Sequence, residues 1–158
     1  MLIHKGKAPD FTLPRFEGGE SHFYADARDS VLIFYKFSCP VCQFTLPYLQ
    51  RIYDGYGDAF YFVAIAQDGA DKTAAFRKQY RITIPTLMDL SPYPTSNQYG
   101  VEVVPSIVFT DPSHEIRASF DGFVKQEILN LADALAQKSG RAQLDIFEDA
   151  VVPEIRPG

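Results

Sequence analysis

The chain has 158 residues, 15 of them basic and 20 acidic, for a formal net charge of −5. At roughly 100–200 residues per domain this is one domain, and its 46% hydrophobic content excludes whole-chain disorder. The acidic balance argues against a nucleic-acid or anionic-membrane partner, and the longest apolar run, Ala59 to Ala66, is far short of the ~20 residues that span a bilayer.

In chain order, Met1 to Gly6 has no apolar signal-peptide core, which reads as a cytoplasmic chain. Residues 8–14, Ala-Pro-Asp-Phe-Thr-Leu-Pro, form an extended segment bounded by prolines. Gly18-Gly19 is a turn, and His22 to Tyr24 suits a short strand. Val31 to Phe37 is β-branched, apolar or aromatic except at Lys36, as in a central strand buried on both faces, and Phe60 to Ala66 reads the same way. Between them, Val41 to Tyr53 reads as a helix, with Pro40 in its first turn, Pro47 as an interior kink, and Gly55 and Gly57 at its end. Strand, helix and strand make a βαβ unit, so the sheet is at least partly parallel.

Asp71 to Tyr80 reads as a second helix with Ala74, Ala75 and Phe76 toward the core. Thr86 to Asp89 suits a short strand, and Pro92 to Gly100 a loop with one helical turn. Ser106 to Thr110 and Ile116 to Phe120 form a hairpin around Asp111 to His114. Lys125 to Lys138 is an amphipathic helix with Ile128, Leu131, Ala132 and Leu135 on one face. Residues 1–140 are read as the domain. Residues 141–158 are read as a tail that docks through Leu144, Ile146, Phe147, Val151 and Val152.

The cysteines are Cys39 and Cys42. A loop that short staples nothing distant, so the pair points to redox chemistry or to half of a metal site. Cys39-Pro40-Val41-Cys42 falls where a buried strand ends and a helix begins. There the unpaired N–H groups and the helix dipole stabilise a thiolate on Cys39, and Cys42 lies one turn in, positioned to attack a mixed disulfide on Cys39. Pro105 opens a strand, where its missing N–H costs no ladder bond.

Taken together, several segments resemble the thioredoxin fold, in the redoxin branch related to TlpA and ResA and to the AhpC/TSA peroxiredoxins. They are Ala8 to Leu13, the Cys39–Cys42 motif, Pro47, Phe76 to Asp89, and Tyr99-Gly100-Val101 with Val104-Pro105-Ser106. The likeness covers residues 8 to about 138. It implies an α/β thioredoxin-like fold, a mixed central sheet with helices on both faces and a redoxin-type insertion between the two core halves. It also implies a cis Val104–Pro105 peptide facing the cysteines, with Pro40, Val41, Val104 and Pro105 at the substrate.

Two departures bear on proton handling. Ile33 stands where thioredoxins keep a buried aspartate, and Thr45 where ResA-like proteins keep a glutamate. Ile33 is expected in the core and Thr45 on the helix surface, neither moving a proton. Resolution by Cys42 then needs water or an acid from another segment.

The function expected is thiol–disulfide exchange. Cys39 attacks, Cys42 resolves, and the redox-active pair needs no other cofactor and no metal. The partner is a disulfide-containing protein or small thiol, with an upstream thiol reductant or oxidant. A thiol peroxidase is the first rival, but its Pro-x-x-x-Thr/Ser-x-x-Cys pattern fails. Leu32 and Lys36 hold those slots before Cys39, and Tyr35 and Cys39 before Cys42. A metal-binding module is the second rival. It would need further ligands, and the histidines are His4, His22 and His114, the last expected to be solvated in a turn. Lys36, Glu102 and Lys125 read as solvated charges.

Overall fold

In the computed structural model, which describes residues 1–158, the opening segment leads into a small antiparallel hairpin of β1 (Thr12–Pro14) and β2 (Glu20–His22). Phe23–Ala25 is a turn of 3-10 helix, where extended structure was expected at Phe23 and Tyr24. The chain turns there to bury Phe23, whose ring stacks on Phe11 at 5.0 Å, and Asp10 fixes the turn by accepting the Tyr24 amide at 3.0 Å.

The central sheet follows from the apolar runs. All six residues of β3 (Ser30–Tyr35) and of β4 (Tyr61–Ala66) are buried, and the two strands pair in parallel. Their side chains alternate between two cores. Val31, Ile33 and Tyr35 face one; Leu32 and Phe34 face the other. Between the strands runs α1 (Pro40–Tyr56), which continues through Pro47 and takes in Gly55, and Gly57 caps it.

An insertion separates β4 from the second half of the sheet. It comprises α2 (Ala70–Tyr80), β5 (Thr86–Met88) and the short α3 (Pro94–Gln98), and β5 pairs in parallel with β4. Thr73 and Phe76 are the buried residues of α2; Ala74 and Ala75, expected inward, are exposed. The large Phe76 ring decides the helix's rotation by packing on Tyr35 at 4.8 Å.

The second half is the antiparallel pair β6 (Ser106–Thr110) and β7 (Ile116–Asp121), with β6 also antiparallel to β3. The strand order is β5-β4-β3-β6-β7. The two-residue β8 (Phe123–Val124) leads into α4 (Lys125–Ser139), which lies beside α1. Helices α1, α2 and α4 cover one face. The N-terminal segment, the Phe23 turn and Tyr99 just past α3 cover the other. This is the mixed, helix-flanked sheet of the thioredoxin-like fold, with the insertion in the place the resemblance implies.

The turn between β6 and β7 departs from expectation. His114 is buried there, stacked on Tyr24 at 4.4 Å and bonded through its ring to the Asp26 carbonyl at 2.8 Å. Its φ of 68° directs the ring inward, and histidine tolerates the left-handed region better than most residues.

The segment after α4 lies along the fold. Ile146 and Phe147 join the main core, Val152 packs beside it, and β9 (Ile155–Arg156) pairs antiparallel with β8. Leu144 and Val151, expected to dock, are exposed.

Candidate functional site

β3 ends at Tyr35, and residues 36–38 turn the chain so that Cys39 becomes the N-cap of α1. Pro40 follows in the first turn, where its missing N–H costs nothing. The Cys39 sulfur accepts the Cys42 amide at 3.1 Å, as a serine or aspartate cap would. It therefore receives an otherwise unpaired N–H at the positive end of a 17-residue helix. Cys39 is half-buried and Cys42 has no exposed surface; both are free thiols.

Burial pushes the Cys42 thiol well above its ordinary range, and the Cys39 sulfur adds to the shift. The Lys36 amide pulls the other way, and the negative charge of Asp68 raises it further.

The loop before β6 forms the facing wall. Val104–Pro105 is cis, as is Ser91–Pro92, which the sequence did not single out. The Cys39 thiol donates to the Val104 carbonyl at 3.3 Å. The wall is held by Ser106, whose hydroxyl donates to the Val103 carbonyl at 2.7 Å, and by the Gly122 amide, which donates to the Pro105 carbonyl at 2.8 Å. Cys39 and Val104 line a groove of about 410 Å³ with Lys36, Gln67, Tyr93 and Asn97. Pro40 is exposed beside Cys39, Val41 is buried on the α1 core face, and Pro105 is buried behind Val104. Of the six sequence-predicted positions, Cys39, Cys42 and Val104 meet directly.

Thr45, expected on the helix surface, has no exposed area, and its hydroxyl has no hydrogen-bond partner. Ile33 is in the core as expected.

Two features escaped the sequence reading. Asp68, two residues past β4, is buried and accepts the Phe37 amide at 2.7 Å, which ties the cysteine-bearing turn to the neighbouring strand. An acid just beyond the carboxyl end of a buried parallel strand was the signal available, since sites gather there. The second is Gly158. Its backbone lies so close to the Val104 carbonyl that a Cβ on it would collide with that oxygen. Nothing in a Pro-Gly dipeptide marks such an approach.

The histidines lie elsewhere: His4 against Ser119, His22 against Asp10, His114 in its turn. No group of three or more His, Cys, Asp or Glu side chains is arranged to hold a metal. A separate cleft of about 280 Å³ has Arg15 and Arg28 on its walls, but these bond the Glu20 carbonyl and Asp26.

The AhpC/TSA family model matches residues 5–119. The chain belongs to the AhpC/TSA family. A search of the curated proteins finds no match. Solved structures share the fold at low identity. A Bacteroides thetaiotaomicron protein proposed to be a disulfide isomerase superposes with a TM-score of 0.80 at 19% identity, over 89% of this chain and 96% of its own. A secreted Mycobacterium tuberculosis disulfide oxidoreductase homologous to Escherichia coli DsbE gives 0.68 at 21%, over 78% and 95%. The peroxidoxin BcpB of the same organism gives 0.70 at 19%, over 87% and 98%. This AhpC/TSA chain thus has a fold shared by thiol–disulfide oxidoreductases and by a peroxiredoxin-like protein. No helix in it is long and apolar enough to cross a membrane.

Proposed function

We propose that the chain is a thiol–disulfide oxidoreductase that exchanges disulfides through Cys39 and Cys42, with no other cofactor. The observation that carries this reading is the asymmetry of the two sulfurs. Cys39 caps α1, accepts an amide at 3.1 Å and opens on a groove, whereas Cys42 is fully buried one turn behind it. An attacking thiol needs access and stabilised negative charge; a resolving thiol needs proximity and protection.

Cys39 attacks a disulfide sulfur of a protein or small-thiol partner, and Cys42 then displaces that partner, leaving a Cys39–Cys42 disulfide. An upstream thiol reductant resets the pair; run in reverse, with an oxidant, the same steps insert disulfides. Val104 supports the reading because its backbone flanks Cys39, where an extended partner segment can lie as an added strand.

The test is reduction of a protein disulfide such as insulin, driven by dithiothreitol. The wild type accelerates it and Cys39→Ser does not. Peroxide consumption by the same preparation, dependent on Cys39, with no disulfide reduction would instead favour the peroxidase reading. Leu32 and Lys36 in the peroxidatic proline and threonine slots argue against that outcome. The reduction potential of the pair then sets the direction.

A further inference from the structure

We infer that residues 155–158 are a strap that sets the substrate class of the exchange site, an inference resting on the reaction proposed above. The strap lies where an extended polypeptide would pair beside Cys39. Small disulfides therefore reach the sulfur freely, and polypeptide disulfides reach it only when the strap lifts.

The covered position is an open backbone edge. Val104 makes no backbone hydrogen bond, and its carbonyl accepts the Cys39 thiol at 3.3 Å. An unpaired backbone unit beside the attacking sulfur is what an added strand would use. A segment of the same chain already sits there. Gly158 lies on the Val104 carbonyl so closely that a Cβ would collide with it. Gly122 makes room from the other side. Its φ is 74°, and a Cβ there would stand 2.8 Å from the Arg156 carbonyl and 3.1 Å from the Gly158 nitrogen. The Gly122 amide in turn donates to the Pro105 carbonyl at 2.8 Å. Two glycines far apart in the chain thus let residues 156–158 cross directly over the Val104–Pro105 wall.

The strap is held lightly. None of residues 153–158 is buried, whereas Ile146 and Phe147 upstream lie in the core. β9 pairs with β8 through Ile155 to Val124 and Arg156 to Phe123 alone. The Lys125 amide donates to the Glu154 carbonyl at 2.9 Å, and the side chains of the same two residues form an ion pair 3.8 Å long with Glu154 largely exposed. The Arg156 guanidinium lies over the Phe44 ring at 5.1 Å. Surface contacts of these kinds are individually weak, so the strap lifts without opening the core. The groove stays open meanwhile. Its volume of about 410 Å³, lined by Lys36, Gln67, Tyr93 and Asn97, falls in the range of small-ligand sites, roughly 300–1,000 Å³. A small disulfide enters there with the strap in place. A polypeptide needs the Val104 edge for its own backbone and has to displace the strap.

The experiment mixes reduced protein with dithiobis(nitrobenzoate) or with insulin and follows formation of the Cys39–Cys42 disulfide under single-turnover conditions. Arg156→Pro removes the guanidinium over Phe44 and cannot donate in the pairing with Phe123, and Gly158→Val collides with the Val104 carbonyl. Each should raise the ratio of the insulin rate to the small-disulfide rate about threefold or more, because a larger fraction of the protein then has its edge free. Val151→Ala, at an exposed side chain of the same tail, should leave that ratio as in the wild type. A ratio unchanged in either strap variant overturns the inference. So does a lower ratio, which would make residues 155–158 part of the partner's seat, and so does an equal rise in Val151→Ala, which would mark general loosening of the tail. Wild-type protein that forms the disulfide with neither substrate would instead remove the exchange reading, and the strap with it.

Discussion

The thiol of Cys39 donates to the carbonyl of Val104 at 3.3 Å, joining positions 65 residues apart. The contact closes the site between the strand–helix junction and the loop that opens β6. It leaves Cys39 reachable along the groove and Cys42 behind it. With iodoacetamide near neutral pH, Cys39 should therefore be alkylated at least about tenfold faster than Cys42, because reactivity follows thiolate fraction and access. Peptide mass mapping at short times reads the order. Faster labelling of Cys42 would contradict the placement of the two sulfurs.

Thr45 has a buried hydroxyl with no partner on the inner face of α1. An unsatisfied buried polar group costs ~1–3 kcal/mol, and valine fills nearly the same volume without one. Thr45→Val should be neutral or stabilising by about 1 kcal/mol in urea denaturation, with disulfide exchange retained. A loss of more than about 1 kcal/mol would mean that the hydroxyl has a partner.

The β6–β7 turn carries an acid-sensitive contact. Burial works against the Asp111 charge, but the Ser113 hydroxyl, the Glu115 amide, Arg117 and the Ser113 amide together hold its carboxyl down to about 2. A carboxyl depressed in the folded state contributes stability above its unfolded value of about 3.9, and that contribution disappears as pH falls toward 2. Asp111→Asn should lower stability at pH 7 and flatten its decline between about pH 4 and 2. Thermal melts across that window check it, and parallel curves for the two proteins would contradict it.

Phe147 ties the segment after α4 to the core. Its ring is buried against Tyr48 at 4.9 Å and Phe123 at 5.9 Å. Phe147→Ala should cost about 3 kcal/mol, the usual loss for a buried aromatic. Val151→Ala, at a fully exposed side chain, should cost close to nothing. Equal, small effects of the two in urea denaturation would show that the tail is not part of the cooperative fold.

The fold was legible where burial is total. β3 and β4 are apolar on both faces, so their runs alone mark central strands, and the cysteine motif between them falls at a helix start. Reading weakened where one large side chain sets the geometry. Phe76 turns α2 so that Ala74 and Ala75 face out, which two alanines of indifferent size do not reveal. His114 went inward because a left-handed turn residue aims its ring at Tyr24, a contact 90 positions away in the chain. Asp68 carried one signal, its place just past a buried parallel strand, but the amide it meets across the sheet, that of Phe37, is not written in its own neighbours. Thr45 was misplaced because a threonine beside apolar neighbours fits either face of a helix.

The central claim is that Cys39 attacks and Cys42 resolves. The most direct measurement is trapping by Cys42→Ser mixed with a disulfide-bonded peptide and analysed by intact-mass spectrometry. The account predicts one peptide half linked covalently to Cys39, accumulating to near stoichiometry and released by added thiol. No adduct, or an adduct mapping elsewhere while the single-serine variant still turns over disulfides, would contradict it.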